Sequence, residues 1–156
     1  MTNRKNPLVI VALILLLIPS LVWAAGSVTD SGKVKYSNSV SVLTFTWVGA
    51  ASGGAVTATA STVPIDGYVF MVVTNPGDTA PQDNYDLTLK DSDGVDIMGG
   101  ELTDRDTANS EQAFPLMDGS TDFFGKRFVA GTLTLGVTGN NVNSATGTVV
   151  VYISSD

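Results

Sequence analysis

The chain has 156 residues, a formal net charge of −7 from 8 basic and 15 acidic side chains, and neither cysteine nor histidine. This charge repels phosphate backbones and anionic lipid headgroups, which argues against binding to nucleic acid or adsorption to a membrane surface. Without cysteine and histidine there are no disulfide bonds and no Ser-His or Cys-His nucleophiles, so only carboxylate chemistry, a Ser-Lys pair or an oxygen-ligand metal site remains.

The N-terminal residues have the three-part layout of a secretory signal. After a basic start, residues 8–18 form an unbroken apolar run, and Val22 and Ala24 place compact side chains before a cleavage position. We therefore predict a signal peptide over residues 1–24 and a mature chain starting at Ala25. The alternative is an uncleaved membrane anchor, although the apolar run is shorter than the roughly twenty residues that span a bilayer.

The rest of the sequence predicts strands rather than helices. It is rich in Val, Thr, Gly and Ser, and its apolar residues alternate or form short blocks without a helical period. These runs predict about nine strands. In chain order the predicted strands cover residues 33–37, 40–48, 55–62, 67–74, 84–90, 111–116, 127–130, 132–138 and 146–153. Short strands separated by Gly, Asn and Asp turns are typical of a two-sheet antiparallel sandwich or jelly roll, which we predict as a single domain over residues 25–156.

Two stretches stand out for their apolar character and one for its polarity. Residues 68–73 are apolar on both faces, a pattern typical of a central strand that is covered on both sides. The last predicted strand, residues 146–153, is also strongly apolar, and we expect it to be buried and to hold the C-terminus in a sheet. Residues 99–109 are polar and acidic, and we expect them to be the least regular part of the domain.

A hairpin should join residues 84–90 to an apolar return at residues 95–98. Leu87, Leu89 and Ile97 must all face the core, and a loop of two or four residues would place a charged side chain beside one of them. A three-residue loop avoids this conflict and predicts that Leu89 lies opposite Ile97.

The same register makes two further predictions. It gives Gly94 a left-handed backbone conformation, in which glycine is favoured over other residues. It also sets Lys90 opposite Asp96 on the solvent face as an exposed ion pair.

The stretch from residue 83 to residue 111 is strongly acidic and raises the possibility of a calcium site. Hard cations prefer carboxylate and carbonyl oxygens, and the candidate ligands are Asp91, Asp93 and Asp96. The stretch departs from an EF-hand loop, because Gly94 comes too early and no bidentate acid follows at the last position. Turn geometry alone explains Asp and Gly here. We therefore expect no metal and no cofactor, with calcium as the alternative.

Catalysis is not expected from this sequence. A glycosidase needs two carboxyl groups facing each other across a cleft, and an acid-rich β protein offers such pairs by chance. A Ser-Lys hydrolase needs a lysine desolvated beside a serine. The available lysines, Lys33, Lys35, Lys90 and Lys126, lie near the mature N-terminus, on an outward strand face or in a turn. A carboxylate-based hydrolase is kept as a third hypothesis.

A short segment near the C-terminal third combines aromatic and cationic residues. Phe123, Phe124, Arg127 and Phe128 are candidate interface residues, since aromatic side chains and arginine are enriched at interface centres. A loop that tucks Phe123 or Phe124 beneath the sandwich is the other interpretation of this segment.

Several stretches carry a resemblance to a known kind of protein. The motifs at residues 79–89 and 91–94, with shorter ones at 105–109, 131–135 and 146–150, resemble a family of uncharacterised small β-sandwich structural proteins associated with phages and prophages. The resemblance implies a virion-associated or prophage-borne domain with a structural or adhesive role, and it implies no catalytic or ligand residues. The export signal departs from that family, because capsid components assemble in the cytoplasm.

These observations predict a non-enzymatic, exported domain that acts through its surface. We expect it in the periplasm, the extracellular space or a virion, with other proteins or further copies of itself as partners. Contact with a membrane is expected only through an uncleaved N-terminal segment. The alternative function is a calcium-dependent module that binds glycans or the cell envelope.

Overall fold

A computed structural model describes residues 23–117 and 123–155, and every regular element within those ranges is a β-strand. The strands in this part of the chain are β1 Ser27–Lys35, β2 Val40–Val48, β3 Thr59–Ala60, β4 Ile65–Pro76, β5 Asp86–Lys90, β6 Glu111–Ala113, β7 Arg127–Gly131, β8 Thr134–Thr138 and β9 Thr146–Ser154. The predicted all-β class and the number of strands are confirmed. The predicted signal peptide, residues 1–24, lies outside the described residues except for Trp23 and Ala24.

The strands pair antiparallel in two sheets. The larger sheet has the order β1-β2-β9-β4, and β4 is long enough to pair with two strands at its far edge. Residues 65–69 of β4 pair with β7, and residues 72–74 pair with β6. The smaller sheet has the order β3-β8-β5. β9 therefore lies in the middle of the larger sheet, and the prediction that this strand holds the C-terminus in a sheet is confirmed.

One hydrophobic core lies between the two sheets, and alternate residues of the strands supply it. Phe45 and Trp47 of β2 are fully buried on the larger sheet, and Leu87 and Leu89 of β5 are buried on the smaller sheet. Tyr85, just before β5, brings its ring to 5.7 Å from the ring of Trp47. Each large apolar side chain buried in this way contributes about 1.5–3 kcal/mol relative to leaving it exposed.

Most strand ends lie within three residues of the predicted ones, and three elements depart further from the prediction. β1 begins at Ser27 rather than at residue 33, because its polar residues pair with β2 through a ladder that a bulge interrupts between Asp30 and Lys33. The predicted strand at residues 55–62 is reduced to β3 alone. The return at residues 95–98 makes a single bridge.

The hairpin after β5 has the predicted register. Lys90 forms a bridge with Asp96, and the backbone N–H of Ile97 donates to the carbonyl of Leu89 at 2.8 Å. Gly94 has a φ of 83°, the left-handed conformation that the three-residue loop requires. The prediction that Leu89 and Ile97 lie opposite each other in the core is therefore confirmed.

Candidate interaction surface

The outer faces of the two sheets differ in chemistry. On the smaller sheet the side chains that point away from the core are polar, with Asp86, Thr88 and Lys90 on β5 and Thr134 and Thr138 on β8. This composition is usual for a sheet face in contact with water. The outer face of the larger sheet does not have this polar composition throughout.

One half of the outer face of the larger sheet is apolar. Val34 of β1, Val42 of β2, Tyr152 of β9 and Met71 of β4 stand opposite one another in a row across four strands. Phe70, at a bulge in β4, places its ring 6.1 Å from the ring of Tyr152. These residues alternate with core residues of the same strands, so their side chains lie on the side away from the core.

A second apolar row lies next to the first, at the end of the sheet where β9 finishes. It contains Val40 of β2, Tyr68 of β4 and Phe128 of β7, and Tyr36 follows the end of β1. Ser154 of β9 lies in this row between Val40 and Tyr68. The exposed fraction is 57% for Phe128 and 79% for Tyr36. We call the apolar residues of both rows the apolar face: Val34, Tyr36, Val40, Val42, Tyr68, Phe70, Met71, Phe128 and Tyr152.

The other half of the same outer face is polar. Thr29 of β1, Thr46 of β2, Thr148 of β9 and Asn75 of β4 form a row there, again directly opposite one another. The Asn75 amide donates a hydrogen bond to the Thr148 hydroxyl at 3.1 Å. Apart from the exposed Val48 of β2, the apolar character is thus confined to one end of the sheet, which is the arrangement of a bounded contact site rather than of a face buried throughout.

The apolar face contains an open depression of about 450 Å³. Its lining combines four residues of the face with two small hydroxyl side chains: Val34, Tyr36, Val42 and Tyr152, with Ser31 and Thr44. A depression lined in this way can accept an apolar side chain of a partner while the hydroxyl groups stay hydrated at its border.

The aromatic rings of the apolar face are inclined to one another. Phe128 meets Tyr68 edge-on at 5.3 Å with an interplanar angle of 60°, and the Lys126 ammonium lies 4.7 Å from the centre of the Tyr68 ring. The Phe70 and Tyr152 rings are inclined by 55°.

The structure separates the residues that the sequence analysis grouped as interface candidates. Phe128 belongs to the apolar face, whereas Arg127 is half-buried and donates from Nη2 to the carbonyl of Leu116 at 3.2 Å. Phe123 and Phe124 have exposed fractions of 61% and 46%. Backbone hydrogen bonds and a bridge between Leu116 and Phe124 tie this stretch to residues 115–117, and with these exposures neither ring is tucked beneath the sandwich.

Two of the three candidate calcium ligands, Asp91 and Asp96, accept hydrogen bonds from nearby backbone N–H groups, whereas the Asp93 side chain is exposed. Asp91 Oδ1 accepts from the backbone N–H groups of Asp93 at 3.0 Å and of Val95 at 2.9 Å. Asp96 accepts from three N–H groups, of which the shortest contact is 2.8 Å to Gly100. Residues 23–117 and 123–155 contain no cluster of three acidic side chains placed to hold a metal ion.

The predicted ion pair between Lys90 and Asp96 is wrong, although their backbones are paired as expected. The Asp96 carboxylate turns towards the N–H groups of Leu89, Met98 and Gly100, at distances of 2.8 to 3.3 Å. Charge-assisted hydrogen bonds to N–H groups that water reaches poorly outweigh an exposed ion pair, which contributes about 0–1 kcal/mol. These bonds also replace ladder hydrogen bonds, which explains why residues 95–98 form no strand.

Adding calcium is therefore expected to leave the stability of the domain unchanged. A metal bound to the native state would raise the melting temperature by mass action, by an amount that grows with its concentration. Thermal unfolding with millimolar calcium and with a chelator should give the same midpoint. A rise of more than a few degrees that the chelator reverses would instead support the calcium-dependent alternative.

Three titratable groups in the described part of the chain have clearly shifted pKa values, and every shift leads away from neutrality. Burial raises the pKa of Tyr85 to about 12. Burial also acts to raise the pKa of Asp30, but hydrogen bonds from Thr62 and the neighbouring backbone lower it overall. The Asn109 side chain and the backbone beside it lower the pKa of Asp106. None of the three thereby gains the near-neutral pKa that general acid-base catalysis favours.

Most of the apolar face was missed by sequence reasoning. The sequence shows the apolar character of residues 68–73 and of the last strand, and residues 68–73 lie in a central strand as predicted. The expectation that residues 68–73 are covered on both sides is wrong for the described residues, because Tyr68 and Phe70 remain partly exposed on the outer side. The sequence feature that marks the face is the set of outward-pointing apolar residues Val34, Val42 and Tyr152. They lie on three strands, so they can be grouped only when the strand order is known.

The chain was also compared with known proteins. No protein-family model matches the sequence, and no curated protein and no solved structure matches it either. Among the described residues, no helix has the length and apolar character needed to cross a membrane.

Proposed function

We propose that this chain is an exported, non-enzymatic β-sandwich that acts through its surface, as a structural or adhesive component of a virion-related or cell-surface assembly. The observation that carries the proposal is the apolar face, with its three strongly exposed side chains Val34, Tyr36 and Phe128. A contiguous apolar patch bordered by polar residues marks a site of contact with another molecule.

Two further observations support the proposal. The shifted pKa values of Tyr85, Asp30 and Asp106 have structural causes and leave these groups poorly suited to proton transfer at neutral pH. The acidic turn at residues 91–96 uses its carboxylates to fix the backbone. The calcium-dependent alternative therefore has less support than action through the apolar face.

The test is to follow the chain, expressed as residues 1–156 in its source cells, by velocity sedimentation of envelope, secreted and particle fractions. We expect the protein in an envelope or particle fraction, and mass spectrometry should find it starting at Ala25. A variant carrying Tyr36→Ser and Phe128→Ser should move to the free fraction. Recovery of the native chain only as free protein, or an unchanged distribution of the variant, would contradict the proposal.

The matched control lies on the same outer face, in its polar half. Thr29→Ser and Thr46→Ser change two exposed side chains of β1 and β2 without altering the apolar face. This control should sediment as the native chain does. Intact Met1 in the membrane fraction would indicate the uncleaved anchor in place of export.

A further inference from the structure

We infer that the apolar face is covered by the apolar face of a second copy of this chain, in a two-fold symmetric dimer that stacks the two larger sheets. The inference rests on the proposed function, because it names the partner of the surface assigned there. Its support comes from the distribution of charge over the domain and from the extent of the face.

Charge is strongly segregated along the chain. Residues 83–111 carry nine acidic side chains against two basic ones, a net charge of −7. The remaining described residues carry three acidic side chains against four basic ones. These are Asp30, Asp66 and Asp78 against Lys33, Lys35, Lys126 and Arg127. Nearly all the negative charge of the described domain therefore belongs to one segment.

Most of that acidic segment lies on the layer away from the apolar face, whereas Glu111 at its end begins β6 at the edge of the larger sheet. The segment contains β5 of the smaller sheet, and the residues after β5 return along the free edge of that strand. The backbone N–H of Leu87 donates to the carbonyl of Leu102 at 2.8 Å, and Ile97 donates to Leu89 at the same distance. The apolar face is on the outer side of the opposite sheet.

This arrangement selects one way for two copies to approach each other. Packed sheets lie about 10 Å apart, so stacking the two larger sheets separates the acidic layers of the two copies by roughly 30 Å. Screening at physiological ionic strength acts over about 8 Å, so repulsion between those layers is small. An approach through the smaller sheets would bring the two acidic segments into contact.

The charged side chains at the apolar face also allow it to contact the same face of a second copy. Asp66 is exposed on the same outer side at the start of β4, and Lys126 stacks on the Tyr68 ring. One carboxylate and one ammonium on each copy give the contact a balanced charge. A two-fold contact requires this kind of self-complementarity, because the same surface serves both partners.

The extent of the face indicates how strong the contact is. The face has three rows of residues if the adjoining row of Thr44, Val150 and Val73 is included. With strands about 4.8 Å apart and rows about 6.8 Å apart, five strands and three rows cover roughly 25 by 20 Å. Specific interfaces bury about 800 Å² on each partner, so this one belongs among the smaller, reversible contacts. We expect a dimer that dissociates on dilution.

Sedimentation equilibrium of the purified chain over a range of concentrations tests the inference. The native protein should fit a reversible monomer-dimer equilibrium that added salt does not weaken. The Tyr36→Ser and Phe128→Ser variant should stay monomeric over the same range, and Thr29→Ser with Thr46→Ser should dimerise as the native chain does. A native chain that is monomeric throughout, or a variant that dimerises equally well, would overturn the inference.

Single cysteines provide a test that does not depend on weakening the face. The chain contains no cysteine, so each introduced thiol is unique. Stacked sheets lie about 10 Å apart, beyond the reach of a direct disulfide, so a short thiol-reactive cross-linker that bridges this gap joins only positions near the two-fold axis. With such a cross-linker at least one of Val42→Cys, Met71→Cys and Tyr152→Cys should give a covalent dimer, whereas Thr29→Cys should not. Cross-linking at Thr29→Cys alone would place the contact elsewhere and overturn the inference.

The outcomes separate this inference from the proposed function. A chain that is monomeric in solution but still enters an envelope or particle fraction overturns the second copy and leaves the proposed function standing. A chain that dimerises through the apolar face but stays in the free fraction overturns the proposed function and leaves the inferred dimer standing. Binding of the monomeric chain to phosphatidylcholine vesicles, lost in the Tyr36→Ser and Phe128→Ser variant, would assign the face to a lipid surface and overturn the second copy.

Discussion

Replacing Gly147 with alanine is expected to lower the free energy of unfolding by about 2 kcal/mol, within the roughly 1–3 kcal/mol typical of overpacked cores. Gly147 of β9 lies opposite Trp47 of β2. A Cβ added to Gly147 would stand 2.7 Å from Cε2 and Nε1 of the indole ring. That ring is fully buried against Tyr85, so it has no free space into which it could move.

Trp47→Phe in the same chain should recover most of this loss. The phenylalanine lacks the indole atoms that the new Cβ would meet. It also lacks Nε1–H, which is buried without a hydrogen-bond partner in the described structure and so costs about 1–3 kcal/mol. Trp47→Phe alone should therefore destabilise much less than Trp47→Ala, for which about 3–5 kcal/mol is expected.

A double-mutant cycle measured by urea unfolding checks this prediction. Residues in direct contact give coupling energies of about 0.5–3 kcal/mol, and the coupling between Gly147→Ala and Trp47→Phe should fall in that range. Gly136→Ala is the matched control, because its Cβ would meet only the Thr88 hydroxyl, which can rotate on the outer face of the smaller sheet. Additive effects within the cycle would contradict the packing argument.

Asp96→Ala is expected to cost about 2 kcal/mol, because it leaves three backbone N–H groups without the charged acceptor that pairs them. Asp96→Asn should cost less, since its amide oxygen can still accept one or two of these hydrogen bonds. Asp93→Ala in the same turn should change the stability by less than about 0.5 kcal/mol, as expected for an exposed side chain on the surface.

Urea unfolding of the three variants, with and without calcium, distinguishes a structural turn from a metal site. If the acidic turn is structural, Asp96→Ala loses stability in both conditions and Asp93→Ala in neither. If instead the Asp91, Asp93 and Asp96 carboxylates hold calcium, Asp93→Ala should lose stability only when calcium is present. That pattern would contradict the hydrogen-bonding account.

The sequence alone predicts those features of the fold that depend on local patterns. Alternation of apolar and polar residues places β2 at its observed bounds and β9 within one residue of them. The hairpin register follows from keeping Leu89 and Ile97 in the core with Gly94 in the turn. Each of these predictions needs only neighbouring residues and the period of a strand.

Other features depend on residues that are distant in sequence, and these could not be predicted. The early start of β1 at Ser27 follows from pairing with β2, which overrides the weak strand preference of its polar residues. The apolar face joins five strands whose order is not encoded locally. A strand with two apolar sides requires cover on both, but its sequence does not say whether the same chain or another molecule supplies the second cover.

The central position of β9 has a consequence for the order of events in folding. The larger sheet places β9 between β2 and β4, so β1 and β2 cannot join the remainder of the sheet until residues 146–154 have been synthesised. Pairing across this distance closes long loops, which makes folding slow compared with local hairpin formation. For a chain proposed to be exported, this topology delays the native fold until residues 146–154 have been synthesised, which would favour passage across a membrane in an unfolded state.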